Sequence, residues 1–164
     1  MATPDGGGRM SAFLRFISLP TAVIGITLGC IWLDRKMGWR GVHAPEAGAT
    51  LVVLGVAIVF WCFVLFLHIG HGSPHPFVAK TKKLVIAGPY CYVRNPMMWG
   101  IGTILAGLAL WLGSVGLWLG LGMFLIFVSL FVPFYEERDM EKRFGEDYRE
   151  YCRRVPRWWP RFRA

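Results

Sequence analysis

The chain has 164 residues, of which 55% are hydrophobic and 17% are charged, and it carries a formal net charge of +8. Soluble domains are about 45–50% apolar and about 25% charged, so this composition excludes an ordinary soluble globule and a disordered chain. We expect one membrane domain over residues 1–164, with its charges kept outside the apolar segments.

Four apolar runs predict an all-α membrane bundle of about four spans. The predicted spans are about residues 16–33, 49–69, 97–112 and 115–134. A bilayer core about 30 Å thick requires about 20 helical residues, and all but the third run approach that length. The short third run and the fourth form a predicted helical hairpin. A loop over 70–96 and amphipathic helices over 135–164 are expected to cap a cofactor site.

The distribution of cations predicts an orientation. With four spans, both termini and the 70–96 loop share one side, which holds 15 of the 18 Lys and Arg residues. The remaining three are Arg35, Lys36 and Arg40. The positive-inside rule places the termini and the active site in the cytoplasm. This segregation favours an anionic lipid or cofactor as the partner and not nucleic acid, and it leaves the oligomeric state open.

His68, His71 and His75 lie close together at the start of the loop, in a spacing that could bind a metal ion. Metal sites need a full ligand set, and the intervening glycines and proline break the helix that would align these side chains. We therefore predict no metal site, and we expect His71 to order the loop or to contact a cofactor.

Glu136 and Glu137 directly follow the fourth run. Adjacent carboxylates on a helix diverge, so only one of the two is expected to face a site. An apolar stripe at helical spacing then continues through Tyr135, Met140, Phe144, Tyr148 and Tyr151. It predicts one or two amphipathic helices, broken near Gly145, and is interpreted as a packing surface. The Trp- and Arg-rich tail over 155–161 is interpreted as an interfacial anchor, or alternatively as a lid.

The run GPYCYVRNPMMWG over 88–100 resembles the G-P-Y-R-Y-V-R-H-P-x-Y-x-G signature of the isoprenylcysteine carboxyl methyltransferase family and the related phospholipid methyltransferases. The Glu pair at 136–137 stands where that signature has its own pair. The GHGSP element at 70–74 and the pattern over 144–157 are also similar, and the resemblance covers about residues 50–163. The chain looks like a bacterial member, which implies the bacterial inner membrane.

Three positions depart from the signature. Asn95 stands where eukaryotic members have His, but many bacterial relatives look the same, so cofactor binding is expected to survive. Cys91 replaces a common Arg and Met98 a common Tyr, which puts the substrate or the level of activity in doubt.

The resemblance implies methyl transfer from S-adenosylmethionine to a lipophilic acceptor in the membrane: a phospholipid amine, a prenyl-type carboxylate or another hydrophobic small molecule. Direct displacement requires alignment and exclusion of water, with no metal. The catalytic residues are expected to be Arg94, Glu136 and Glu137. The residues expected to bind the cofactor are His71, Val85, Gly88, Pro89, Tyr90, Arg94, Asn95, Pro96, Gly100, Glu136 and Glu137.

Roles follow from the chemistry of these groups. Arg94 is expected to pair with the cofactor carboxylate and Asn95 to hydrogen-bond it. Glu136 or Glu137 would bind the amino group or ribose, or accept a proton from an amine. Tyr90 would stack on the adenine ring, and backbone groups over 85–88 would hydrogen-bond the polar edge of that ring.

The same residues also allow structural roles, and the chain allows other functions. Arg94 would otherwise anchor a lipid headgroup, Asn95 would cap a helix, and the Glu pair would bind Arg138 or Arg143. The whole chain would otherwise be a nicotinamide-dependent reductase-like relative or a non-enzymatic membrane partner protein. We expect the acceptor to reach the site laterally, between the second span and the hairpin.

Overall fold

The structure, a computed structural model, describes residue 25 and residues 27–69 and 83–159. Within these ranges the chain is helical and contains no strand. Parts of the predicted first span and loop, with His71 and His75, and the end of the tail lie outside the described residues. The elements are α1 (27–37), α2 (Pro45–His68), a 3₁₀ turn (Gly88–Cys91), α3 (Pro96–Leu112), α4 (Val115–Phe131), a π turn (Val132–Glu136), α5 (Glu137–Phe144) and α6 (Glu146–Arg154).

Two helical segments are long and apolar enough to cross a bilayer, namely Pro45–Leu65 and Val115–Phe144, and Pro96–Leu112 is a shorter apolar helix. The second helix begins earlier than predicted, because Pro45 suits the first turn of a helix. The fourth run does not end at residue 134, since the π turn carries the helix on into α5. The predicted break at Gly145 is confirmed, and its φ of +55° ends α5.

Glycines bring α2 and α3 into close contact. A Cβ added at Gly48 would lie 2.5 Å from the backbone nitrogen of Trp111, and one at Gly55 would lie 2.7 Å from the carbonyl oxygen of Gly100. Such approach is possible only between small residues. The two helices therefore form a tight pair along a seam of Gly48, Gly55, Gly100 and Gly107.

Polar contacts tie the hairpin turn to α1. Ser114 accepts a hydrogen bond from the backbone N–H of Leu117 at the start of α4. The buried Asp34 carboxylate accepts hydrogen bonds from the Ser114 hydroxyl and from the Gly116 N–H, the latter at 2.8 Å. Gly41 donates its N–H to the Gly113 carbonyl at 2.8 Å. The 35–41 segment thus lies at the hairpin-turn end, and its cations are separated from those at the opposite end of the bundle.

Candidate active site

The end of the bundle opposite the hairpin turn, formed by residues 83–95 and 135–159, is called the site end below. Residues 83–95 of the site end pack on α2. Gly88 has a φ of +56°, and a Cβ there would lie 3.0 Å from Cδ1 of Leu65. Tyr90, only 7% exposed, forms a buried cluster with Val85 and Cys62. This packing fixes the 3₁₀ turn just before α3 begins.

The C-terminal segment folds back over the start of α3. The Tyr151 hydroxyl donates to the Tyr90 carbonyl at 2.8 Å, and the Arg94 N–H donates to the Pro156 carbonyl at 3.0 Å. Further along, the Trp99 indole N–H donates to the carbonyl of Trp158 at 3.0 Å. Hydrogen bonds with residues 90–99 therefore hold α6 and the described part of the tail in place.

Glu137 holds two guanidinium groups. Its Oε1 accepts from Arg94 Nη1 at 2.7 Å and from Arg157 Nε at 2.8 Å, and its Oε2 accepts from Arg157 Nη2 at 2.7 Å. The side chains of Glu137 and Arg94 are 14% and 13% exposed, whereas that of Arg157 is 36% exposed. Bidentate, charge-assisted bonds of this kind are strong and directional. They orient Arg94 and bind the tail to α5.

The π turn brings both glutamates to one cavity. The N–H of Glu137 donates to the carbonyl of Val132, five residues earlier. This wider turn changes the register of the side chains relative to a regular α-helix. Glu136 and Glu137 consequently both line the cavity, although one of them was expected to point elsewhere.

The cavity has a volume of about 70 Å³ and lies between the 84–98 segment, the π turn and α6. Six of the predicted site residues line it: Val85, Tyr90, Arg94, Asn95, Glu136 and Glu137. Gly88, Pro89, Pro96 and Gly100 are outside this lining. A Cβ at Gly100 would lie 2.8 Å from Cγ2 of Val59, so this glycine serves the contact with α2.

Three buried polar atoms of the cavity have no hydrogen-bond partner in the described part of the chain: Arg94 Nε, Asn95 Nδ2 and Glu136 Oε2. Buried polar atoms are normally paired, because an unpaired one loses its hydration without compensation. Asn95 occupies the N-cap position of α3, as the helix-cap alternative has it, but its side chain makes no capping hydrogen bond. Two donor atoms and one carboxyl oxygen, all on residues that line this cavity, are thus left without a partner in the described part of the chain.

Other residues of the site end were assigned to packing or were not predicted. Tyr148 and Tyr151 lie in a buried cluster with Val155, so the predicted packing surface also forms a cavity wall. Burial raises the pKa of the Tyr90, Tyr148 and Tyr151 hydroxyls, so these phenols stay protonated and neutral. Arg157 was not predicted as a site residue, although the family-like Val-Pro-Arg at 155–157 contains it.

The Glu pair was alternatively expected to bind Arg138 or Arg143, which are close in sequence, but the structure shows other partners. Arg143 pairs with Asp139 at 3.4 Å, one helical turn away on α5. Glu137 instead binds Arg94 and Arg157, which are distant in sequence.

Comparison with known families supports the sequence signature. The model of a family described as phospholipid methyltransferase matches residues 44–147, well over half of the chain. The matched range contains α2 to α5, together with Arg94, Asn95 and the Glu pair. Comparisons with curated proteins and with solved structures give no match.

Proposed function

Because the chain belongs to the phospholipid methyltransferase family, we propose that it transfers a methyl group from S-adenosylmethionine to the headgroup amine of a membrane phospholipid. Membership of this family makes the chain a methyltransferase that acts on membrane lipid-type acceptors. The cofactor and the amine are the finer parts of the proposal. The cofactor is supported by the groups that line the cavity, and the phospholipid acceptor by the description of the family.

The three unpartnered atoms carry the proposal. Arg94 Nε and Asn95 Nδ2 are donors, and Glu136 Oε2 is an acceptor. Together they complement a carboxylate beside an ammonium group, which is the pair that the methionine end of S-adenosylmethionine presents. Ordinary ligand pockets have volumes of about 300–1,000 Å³. At about 70 Å³ the cavity suits this polar end and not the whole cofactor.

The residues of the site bind and position the reactants. When bound, S-adenosylmethionine would supply a methyl group on a positively charged sulfur. The unprotonated amine nitrogen bonds to that methyl carbon while the carbon–sulfur bond breaks, S-adenosylhomocysteine leaves, and the proton given up by the amine passes to the solvent at the headgroup. Arg94 and Asn95 hold the carboxylate, and Glu136 holds the ammonium. Glu137 is occupied by two guanidinium groups and acts as a positioning residue for Arg94. Tyr148 and Tyr151 close the cavity wall and exclude water.

The same proposal includes the location of the chemistry. The site end contains Lys83, Arg94 and the cations of α5, α6 and the tail, whereas Arg35, Lys36 and Arg40 lie at the hairpin-turn end. By the positive-inside rule, the site end faces the cytoplasm, here of a bacterial inner membrane.

Cofactor binding is tested with the purified protein in detergent. S-adenosylhomocysteine is expected to raise its thermal stability, because a ligand of the native state stabilises that state, and NADPH is expected to have no effect. Asn95→Ala and Glu136→Gln should each weaken the affinity by about tenfold or more, as the loss of a charge-assisted hydrogen bond predicts. Glu141→Gln, on an exposed position of α5, is the control and should bind like the unaltered chain.

The acceptor is tested with labelled S-adenosylmethionine and vesicles of phosphatidylethanolamine in phosphatidylcholine. We expect label on the phosphatidylethanolamine amine. Label on a prenyl-type carboxylate or on another lipid of a total extract would identify a different acceptor and refute the amine assignment. Absence of S-adenosylhomocysteine binding would refute the cofactor assignment, and stabilisation by NADPH alone would favour the reductase-like alternative.

A further inference from the structure

A second, larger cavity lies between α3 and α4. This groove has a volume of about 550 Å³, and its lining is mainly apolar. Gly102 and Ala106 of α3 and Leu125 of α4 form its walls, and Trp158 and Trp159 of the tail cover it at the site end. Its volume falls within the range of about 300–1,000 Å³ that is ordinary for ligand pockets.

The two neighbours of α3 differ in how closely they approach it. On the α2 side, a Cβ at Gly100 would lie 2.8 Å from Val59. On the α4 side, the nearest atoms to a Cβ at Gly102 would be those of Leu121 and Phe124, both at 3.9 Å. An alkyl chain therefore has room on the α4 side of α3, where Leu51 of α2 also lines the groove, and the expected entry between the second span and the hairpin stays a prediction.

The groove and the polar cavity meet at Met98, which lines both. From Met98 to Ala106 the groove follows α3 for about 12 Å at about 1.5 Å per residue. This length is comparable to one leaflet, about half of a bilayer core about 30 Å thick. An acyl chain lying in the groove would thus have its headgroup beside the polar cavity.

The mouth of the groove has the chemistry of a lipid headgroup region. The Trp99 indole donates to the Trp158 carbonyl, and its ring lies 5.9 Å from that of Trp159 in an edge-on arrangement. Tryptophan favours the membrane interface. Arg157 directly precedes these indoles, and with Arg94 it places two guanidinium groups on the one Glu137 carboxylate. Because Arg94 is assigned to the cofactor carboxylate, the more exposed Arg157 is the cation that complements a phosphate.

We propose that the groove between α3 and α4 binds one acyl chain of the phospholipid acceptor, and that Gly102 and Ala106 set the size of chain it accepts. This inference rests on the proposed function, because it assigns the acceptor to a position relative to the same site. A bulky side chain at position 106 would fill the groove and displace the chain from it. Loss of about two buried methylenes corresponds to a roughly tenfold loss of binding.

The proposal is tested by photocrosslinking, which needs no methyl transfer. The full chain is reconstituted in phosphatidylcholine vesicles containing phosphatidylethanolamine with a diazirine-labelled acyl chain. After illumination and digestion, we expect adducts that unlabelled phosphatidylethanolamine suppresses on the groove-lining residues of α3 and α4, namely Met98, Gly102, Ala106, Leu121, Leu125 and Val128. Ala106→Phe should lower them about tenfold. Ala57→Phe, at an exposed alanine of α2 outside the groove, should leave them unchanged.

Adducts spread over the exposed face of α4, at Met123 and Ile126, and insensitive to competitor would overturn the proposal, since they mark lipid that merely surrounds the protein. The adduct map of the unaltered chain is decisive even if Ala106→Phe does not fold, and S-adenosylhomocysteine stabilisation reports folding of each variant. Methyl transfer without groove adducts refutes acyl-chain binding in the groove and leaves the proposed function standing. Groove adducts without methyl transfer support the groove and refute the proposed function.

Discussion

Replacing Glu137 by Gln removes the carboxylate charge that joins Arg94 to Arg157. The native carboxylate accepts hydrogen bonds of 2.7, 2.8 and 2.7 Å from the two guanidinium groups. Breaking a buried ion pair costs about 3–5 kcal/mol, because the remaining charge stays buried without its partner. Arg94 is 13% exposed but Arg157 is 36% exposed, so water partly compensates the latter. We therefore expect a loss of about 3 kcal/mol in the free energy of unfolding, at the lower end of that range.

The assay is denaturant-induced unfolding in detergent micelles, followed by tryptophan fluorescence. Arg157→Ala should cost less, about 1 kcal/mol, because Glu137 keeps Arg94 and the lost partner is partly solvated. The double variant should lose less than the sum of the two, since both changes remove the same contacts. Glu141→Gln is the matched control, because it breaks the exposed pair with Arg149, which water screens, and should leave the stability nearly unchanged. If Glu137→Gln were no more destabilising than Glu141→Gln, the ion-pair network would not hold the site end together.

Three further stability predictions use the same assay. Gly48→Ala should destabilise the chain by about 1–3 kcal/mol, because its Cβ would lie 2.5 Å from a backbone atom of α3. Gly122→Ala, with nothing within 4 Å of its Cβ, should be neutral or stabilising by up to about 1 kcal/mol, and equal losses at both positions would contradict the close α2–α3 seam. Ser114→Ala should cost about 1 kcal/mol through loss of the α4 N-cap and of a donor to Asp34, and an unchanged stability would argue against this contact. Tyr151→Phe should cost about 1–3 kcal/mol, because it removes the hydroxyl that donates to the buried Tyr90 carbonyl. It should also speed proteolysis after α5. An unaltered cleavage pattern would contradict the view that this hydrogen bond holds α6 against the 3₁₀ turn.

The sequence by itself determined the helical class, the apolar segments, the break at Gly145 and the family, because all of these depend on local composition, periodicity or a contiguous motif. It also identified six residues that line the cavity, since all of them except Val85 belong to the motif or directly follow an apolar run. The boundaries were less accurate. The fourth run continues into α5 through a π turn, a feature with no signature in hydropathy.

Only the tertiary structure decided how these residues are paired. Local spacing offered Arg138 or Arg143 as alternative partners of the Glu pair, yet Glu137 binds Arg94 and Arg157, which are 43 and 20 residues away. The outcome depends on how the tail folds back across α3, and such a contact between distant segments has no local sequence pattern. The same reason applies to the free polar atoms of Asn95 and Glu136, because a side chain is unpaired only relative to everything that packs around it.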